Sequence, residues 1–304
     1  MLLQIPKALQ HSLKRQKQPF NNQLLRPAGL RSGVRCFLEG GIFTENLTAK
    51  TNNRVKYAVK LREKESFRRA EGMFFIEGAR LCSDAALSSV EIKELYVTEN
   101  ALNKYSDYVR LVENTAERSF LVSEEIAQKL SDTKTPQGVF CICKMLDKNT
   151  NIGKIKYNGK YIALEDVSNP SNFGAVIRTA EAVGLDGVIV SGGCDIYNPK
   201  SQRAAMGSLF RLNVIEVDDL PGFLTELAAK GMSVYAGVPD SNAHKITEVD
   251  MSGGVVCIIG NEGNGISEET CKAATKLVTI PMKGRAESLN AAAAASIMIW
   301  EMMR

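Results

Sequence analysis

Three observations in the 304-residue sequence predict an α/β chain in two parts, with a largely parallel sheet in the second. Short apolar runs alternate with helix-length stretches from about Leu47 onward. The later runs, such as VIVSG and VVCIIG, are apolar at consecutive positions, as strands covered on both faces require. A polar, glycine-containing stretch, LDKNTNIGKIKYN (residues 146–158), interrupts the rhythm and reads as a linker.

In chain order, residues 1–46 mix Gln, Pro, Lys and Asn without a sustained period and are expected to form a flexible basic extension. A helix is predicted over about 53–69, with Val55, Val59 and Leu61 at apolar positions. MFFIEGARLCSDAALSS reads as a strand, a glycine and a helix. IKELYVTE is a strand, NKYSDYVRLVEN a helix, and SFLVSEEIAQKLSDT a strand leading into a helix. QGVFCICKM closes a small α/β domain over 47–145. From residue 159 to 304 the pattern restarts. Strand KYIALEDV is followed by a helix from about Asn172 to Val183 and strand DGVIVSG. Helix KSQRAAMGSLF, strand NVIEV, helix LPGFLTELAAKG and strand MSVYAGVP come next. After VVCIIG, a helical patch SEETCKAA leads to strand KLVTIP and the last helix, SLNAAAAASIMIWEMM.

Residues 1–40 carry seven Lys/Arg and a single acid, Glu39, whereas the rest of the chain holds 31 basic and 33 acidic residues. Basicity is therefore local, as a nucleic-acid contact requires, although a solubilising tail has the same composition. No apolar run approaches membrane-spanning length, so no membrane partner is expected. The cysteines are odd in number, seven, and scattered, which reads as reduced thiols of a cytoplasmic protein. With only His11 and His244 in the chain, a zinc site is disfavoured and no metal is expected.

The ligand rule for open parallel sheets points to loops at the carboxyl ends of strands. Three qualify: EDVSNPSNFGAVIRTAEAVG (165–184), IIGNEGNGISEE (258–269) and IPMKGRAESLNAAAAAS (280–296). In the first, Asn169-Pro170 favours a turn, Asn172 is placed as a helix cap, and Arg178 could grip a phosphate or pair with Glu181 or Asp166. The second is no P-loop, since no GKS or GKT follows and its one charge, Glu262, is negative. It permits close backbone approach to a ligand without phosphate, or is a tight surface turn with Glu262 in solvent. In the third, Ser288 fits a helix cap, Asn290 would lie within the first turn, and the alanine run permits tight packing.

Together these three motifs, in this order, strongly resemble the SpoU/TrmH family of S-adenosylmethionine-dependent RNA ribose 2′-O-methyltransferases. The likeness covers about residues 159–304, and YNPKSQRAAMGSLFRLNV between the first two motifs is also similar. Residues 50–140 look like the family's accessory RNA-binding domain, similar to a ribosomal protein, with MFFIEGARL its most recognisable piece. The resemblance implies a trefoil-knotted SPOUT methyltransferase domain that forms a homodimer with active sites at the interface. It implies Arg178 as the arginine acting on the ribose hydroxyl, with Asn172, Glu262, Ser288 and Asn290 beside it. Gly260, Asn261, Gly263, Ile280, Met282 and Leu289 would hold S-adenosylmethionine. Ala291 stands where the family commonly has valine, which leaves that set intact. Beside such a domain, Lys50, Arg54, Lys56, Lys60 and Arg62 read as RNA-phosphate contacts, the alternative being a solvated helix face. Structured RNA, more readily ribosomal than transfer RNA, is the implied substrate. The rival is a non-catalytic RNA-binding or assembly factor that retains the fold.

Overall fold

In the computed structural model the described residues are 45–146 and 151–304, together with a two-stranded antiparallel pair, β1 (Phe37–Leu38) and β2 (Gly41–Ile42). The expected flexible extension lies outside the described residues up to Cys36. At its far end, Glu45 and Asn46 belong to a strand, β3 (Glu45–Leu47), that pairs in parallel with a sheet. Leu47, the first residue of the expected domain, is buried there.

The N-terminal lobe continues with α1 (Asn53–Glu63), α2 (Glu65–Glu71), β4 (Met73–Glu77), α3 (Ala79–Leu87) and β5 (Ile92–Val97). It ends with α4 (Glu99–Lys104), α5 (Ser106–Glu113), β6 (Arg118–Val122), α6 (Glu124–Leu130) and β7 (Val139–Lys144). Its sheet order is β3-β6-β5-β7-β4, with β7 antiparallel to both neighbours. The single helix predicted over 53–69 is two, because Lys64 adopts an extended backbone (φ −118°, ψ 112°). The break turns Arg68 inward, to 2 % exposure.

The C-terminal lobe runs β8 (Lys160–Glu165), α7 (Pro170–Val183), β9 (Gly187–Ser191), α8 (Pro199–Ala205), β10 (Val214–Glu216), α9 (Leu220–Ala229) and β11 (Ser233–Gly237). Then come β12 (His244–Lys245), β13 (Val255–Ile259), α10 (Glu268–Ala273), β14 (Lys276–Thr279) and α11 (Ala291–Met303). All seven strands are parallel in the order β10-β9-β8-β13-β11-β14-β12, and apolar cores cover both faces. The predicted helix over 200–210 stops at Ala205, since Met206 and Gly207 both take positive φ, and a 3-10 turn follows at Ser208–Phe210.

The lobes share one buried contact surface. Phe74 packs on Tyr197 and Phe210, and Gln202 donates to the Phe75 carbonyl at 3.1 Å. Arg68 reaches across to Asp195, its Nε 2.8 Å from the carboxylate and its Nη1 on the Leu61 and Arg62 carbonyls. The described part of the expected linker also packs: Asn151 donates to Val214 O at 2.8 Å, and Lys156 N donates to the Tyr161 hydroxyl at 2.8 Å. No described helix is long and apolar enough to cross a membrane, and no described group of His, Cys, Asp and Glu could hold a metal ion.

Candidate active site

The site forms where three loops leave the carboxyl ends of β8, β13 and β14. After β8, Asp166 takes a left-handed backbone (φ 51°), and its carboxylate accepts the Gly193 N–H at 3.1 Å. Helix α7 then starts earlier than predicted. Asn169 is its cap, accepting from Ser171 N at 2.9 Å, and Pro170 occupies the first turn, where a missing N–H costs nothing. Asn172 is therefore inside the helix and 8 % exposed.

Glu262 answers Asn172 from the second loop. One carboxylate oxygen accepts from Asn172 Nδ2 at 2.9 Å and Asn169 N at 3.2 Å. The other accepts from Ser168 N at 3.1 Å and Ser168 Oγ at 3.0 Å. Partial burial acts to raise the pKa of this carboxyl. The Asn172 amide and the N–H groups of Glu262, Ser168 and Asn169 outweigh it and bring the value to about 2. An anion at the free N–H groups of a helix start is the favoured polarity. Ser168 was not singled out from sequence; the signal for it was Ser-Asn-Pro as a helix start, whose backbone donors need an acceptor.

The glycine loop is shaped by its own side chain. Asn261 Oδ1 accepts from Gly263 N at 2.8 Å and Asn264 N at 3.0 Å, while its amide donates to Asp166 O at 2.8 Å. A Cβ on Gly260 would run into the Gly265 backbone, so the loop closes on itself only with glycine there. A cavity of about 630 Å³ opens beneath it. All six residues expected to hold the methyl donor line this cavity: Gly260, Asn261, Gly263, Ile280, Met282 and Leu289. Glu262, Ser288 and Asn290 line it as well.

In the third loop the cap falls two residues later than expected, on Asn290, and Ser288 stays in the loop before it. Asn290 is the cap of α11, accepting from Ala292 N at 3.0 Å and Ala293 N at 3.2 Å. Its amide donates to Asn172 Oδ1 at 3.0 Å, so Asn290, Asn172 and Glu262 form one chain of hydrogen bonds across the three loops. Ser288 is exposed, as is every residue from 281 to 290.

Arg178 lies apart from the cavity wall, exposed on α7. Neither acid considered for it is its partner: Glu181 receives Arg211 Nε at 2.8 Å and Ser208 Oγ at 3.1 Å. Among the described residues Arg178 forms no hydrogen bond or ion pair.

The two arginines among the expected RNA contacts, Arg54 and Arg62, are engaged within the fold. Arg62 Nη1 donates to Lys129 O at 2.9 Å and to Ser131 O at 2.5 Å. Arg54 pairs with Glu94 and stacks over Phe120, 4.9 Å from the ring centre. Lys50 pairs with Glu125 at 3.1 Å, and Lys60 lies over Phe67 at 5.5 Å. Of the five expected RNA contacts, Lys56 alone is exposed and has no such partner among the described residues.

Residues 159–300 match the SpoU rRNA Methylase family, and residues 52–141 match the MRM3-like substrate binding domain. The chain is 32 % identical over 254 residues to the 23S rRNA (guanosine(2553)-2'-O)-methyltransferase RlmP of Bacillus subtilis, covering 83 % of this chain and 96 % of that one. It is 28 % identical over 241 residues to a 23S rRNA (uridine(2479)-2'-O)-methyltransferase of Streptomyces viridochromogenes, covering 77 % and 83 %. Among solved structures, an AdoMet-bound rRNA methyltransferase from Sinorhizobium meliloti superposes with a TM-score of 0.74 at 28 % identity, over 84 % of this chain and 96 % of that one. With the cavity, the glycine loop and the three-loop hydrogen-bond chain in place, these likenesses show that the chain belongs to the SpoU family of RNA methyltransferases.

Proposed function

We infer that this protein methylates a ribose 2′-oxygen of structured ribosomal RNA, with S-adenosylmethionine as the methyl donor. The observation that carries the reading is the Asn290–Asn172–Glu262 chain of hydrogen bonds at the rim of the cavity. It joins the three loops whose motifs mark the family and fixes their mutual positions before any ligand arrives.

The cavity fits the donor. Its volume is that of a small-molecule site, its walls combine glycine backbone with Ile280, Met282 and Leu289, and only a residue without a Cβ at 260 lets the turn that forms one side close. When bound, S-adenosylmethionine supplies a methyl group already activated by its sulfonium, so a metal has no necessary part. Glu262 is a poor proton acceptor at a pKa of about 2, and its oxygens already receive four hydrogen bonds. Its part is to hold Asn172 and the start of α7. Arg178, with five N–H donors and no acceptor, grips an RNA phosphate beside the target ribose. As the methyl carbon bonds to the ribose 2′-oxygen and parts from sulfur, the hydroxyl proton passes to water or to the RNA phosphate that Arg178 holds, and alignment of these atoms is the main source of acceleration.

A homodimer completes the arrangement. The outer face of α11 exposes Ile297 (41 %), Trp300 (65 %) and Met303 (36 %) at a three-residue spacing, an apolar stripe suited to a second copy. Arg178 stands outside the cavity of its own chain, which supports active sites at the interface. The trefoil knot is part of the same reading, and the strand order β8-β13-β11-β14 is compatible with it. Residues 47–145 serve as the substrate-binding part and 159–304 as the methyltransferase, in a cytoplasmic protein.

The test is incubation with labelled methyl donor and rRNA from an unmodified strain, followed by mapping of 2′-O-methyl nucleotides. Incorporation at a defined rRNA ribose is expected. Binding of rRNA without incorporation would reject catalysis in favour of an assembly factor, and incorporation into tRNA alone would reject the ribosomal substrate.

A further inference from the structure

The line where the two lobes meet is bordered by cations that the site above does not use. On the substrate lobe, Arg80 lies in the first turn of α3, four residues before Asp84 and so on the same face. Asp84 faces the catalytic lobe: a Cβ on Gly207 would come within 2.9 Å of the Asp84 Cβ, and Arg211 lies 3.8 Å from its carboxylate. Lys134 is two residues beyond Asp132, which receives Arg203 Nη2 of α8 at 2.7 Å. On the catalytic lobe, Lys200 is three residues before Arg203 and shares its helix face.

Arg178 stands at the end of this series. It is four residues after Gly174, where a Cβ would meet the Ala205 N and Ser201 O of α8 at 2.8 Å. It is three residues before Glu181, which is bound to Ser208 and Arg211. Arg80, Lys134, Lys200 and Arg178 therefore border one stretch of the seam. Met206 lies along the same stretch, 39 % exposed and held at φ 52°.

All four cations are exposed, and none makes a side-chain hydrogen bond or ion pair among the described residues. The acids along the seam share two arginines, Asp84 and Glu181 facing Arg211 and Asp132 and Glu77 facing Arg203, and Arg80 also acts on Asp84, so the four cations exceed the two acid charges left over. The turn that presents Lys134 is fixed from below by the buried Glu77. Its carboxylate accepts from Asp132 N at 3.1 Å and Thr133 Oγ1 at 3.0 Å, and it bonds to Ser131 Oγ. Glu77 and Arg80 both belong to the EGAR segment, to which the methyltransferase site gives no role.

We propose that this seam is an RNA-backbone track, in which Arg80 and Lys134 of the substrate lobe and Lys200 of the catalytic lobe bind successive phosphates and lead the strand to Arg178. The proposal rests on the methyltransferase reading for the end of the track, not for the track itself. Contacts of this kind set the register of a nucleic acid without reading its sequence. They replace the basic helix as the main electrostatic contact of the substrate lobe, since Arg54 and Arg62 are engaged internally.

The test titrates full-length protein with an unmodified large-subunit rRNA transcript at several salt concentrations, read by filter binding. For the double variant Arg80→Glu/Lys134→Glu, binding is expected to weaken about tenfold or more. The slope of log K against log salt should fall by about 1–2, at 0.7–0.9 per lost phosphate contact. The KM for RNA should rise while kcat at saturating RNA and donor affinity stay unchanged. Arg80→Ala/Lys134→Ala is expected to give a smaller loss in the same direction, and removes any doubt that charge reversal disturbs the fold. Unchanged affinity and salt slope in both double variants, with a large loss in Lys56→Glu/Lys60→Glu, would overturn the track and restore the basic helix. Binding is read without methyl transfer, so the two readings part cleanly. Seam-dependent binding with no methyl incorporation sinks the enzyme and keeps the track; full methylation with seam-independent binding does the reverse.

Discussion

Arg68 and Arg178 carry the same guanidinium and are treated in opposite ways by the two lobes. Arg68 is 2 % exposed, held by Asp195 and by the carbonyls of Leu61 and Arg62. Arg178 is exposed and without a partner among the described residues. A buried, fully bonded arginine is a joint between parts of the fold. An arginine kept in water without an internal partner retains its donors for something that arrives later. Function therefore follows from what each cation is bonded to, and charge density along the chain is a poor guide.

The contrast makes its largest prediction at Arg68. Arg68→Ala leaves Asp195 buried and unpaired and is expected to cost about 3–5 kcal/mol of stability, measured by urea denaturation. Replacing both partners with apolar residues, Arg68→Met with Asp195→Leu, should recover most of that loss. A stability change under about 1 kcal/mol in Arg68→Ala would break the comparison. Arg178→Ala is the mirror experiment: methyl transfer should fall about a hundredfold or more, equivalent to about 2.7 kcal/mol in the barrier. Unfolding should shift by less than about 0.5 kcal/mol, and donor affinity should hold.

Next in size is Gly174→Ala, where the new methyl group meets α8 backbone. Overpacking of about 1–3 kcal/mol is expected from thermal unfolding. The smallest effect belongs to Glu262→Gln, which keeps the shape of the clamp and removes its charge. Loss of donor affinity by several-fold in calorimetry is expected, with a modest loss of stability at neutral pH that disappears in acid. Because the folded pKa of Glu262 is lowered to about 2, its contribution is complete above the ordinary carboxylate pKa of about 4.3 and is lost as pH falls from there toward 2. Glu262→Gln should flatten that acid limb; an unchanged acid limb would remove Glu262 from the clamp.

The catalytic loops were legible in the sequence because their chemistry is local. Glycine at 260 and 263, Asn-Pro at 169–170 and the alanine run after Asn290 each restrict the backbone within a few residues. Even there the caps were misplaced by two or three positions. Asn169 and Asn290 cap their helices, whereas Asn172 and Ser288 were expected to. Asparagine and serine are nearly equal as caps, so local preference does not choose among them. The choice is made by Glu262, 90 residues from Asn172, which needs that amide inside the helix. The internal partners of the arginines in and after the basic helix are hidden from the sequence for the same reason at longer range. Asp195 lies 127 residues from Arg68, and the carbonyls of Lys129 and Ser131 lie 67 and 69 residues from Arg62. Nothing in a run of lysines and arginines reveals which of them will find such partners.

The apolar stripe on α11 has a spectroscopic consequence. Trp300 is the chain's single tryptophan, so intrinsic emission reports on one surface position alone. At 65 % exposure its indole should emit at long wavelength and be open to aqueous quenchers. Covering it with a second copy would shift the emission blue and shield it, in a way that reverses on dilution. The protein thus carries its own optical gauge of assembly, readable without labels and separable from every signal arising in the cavity.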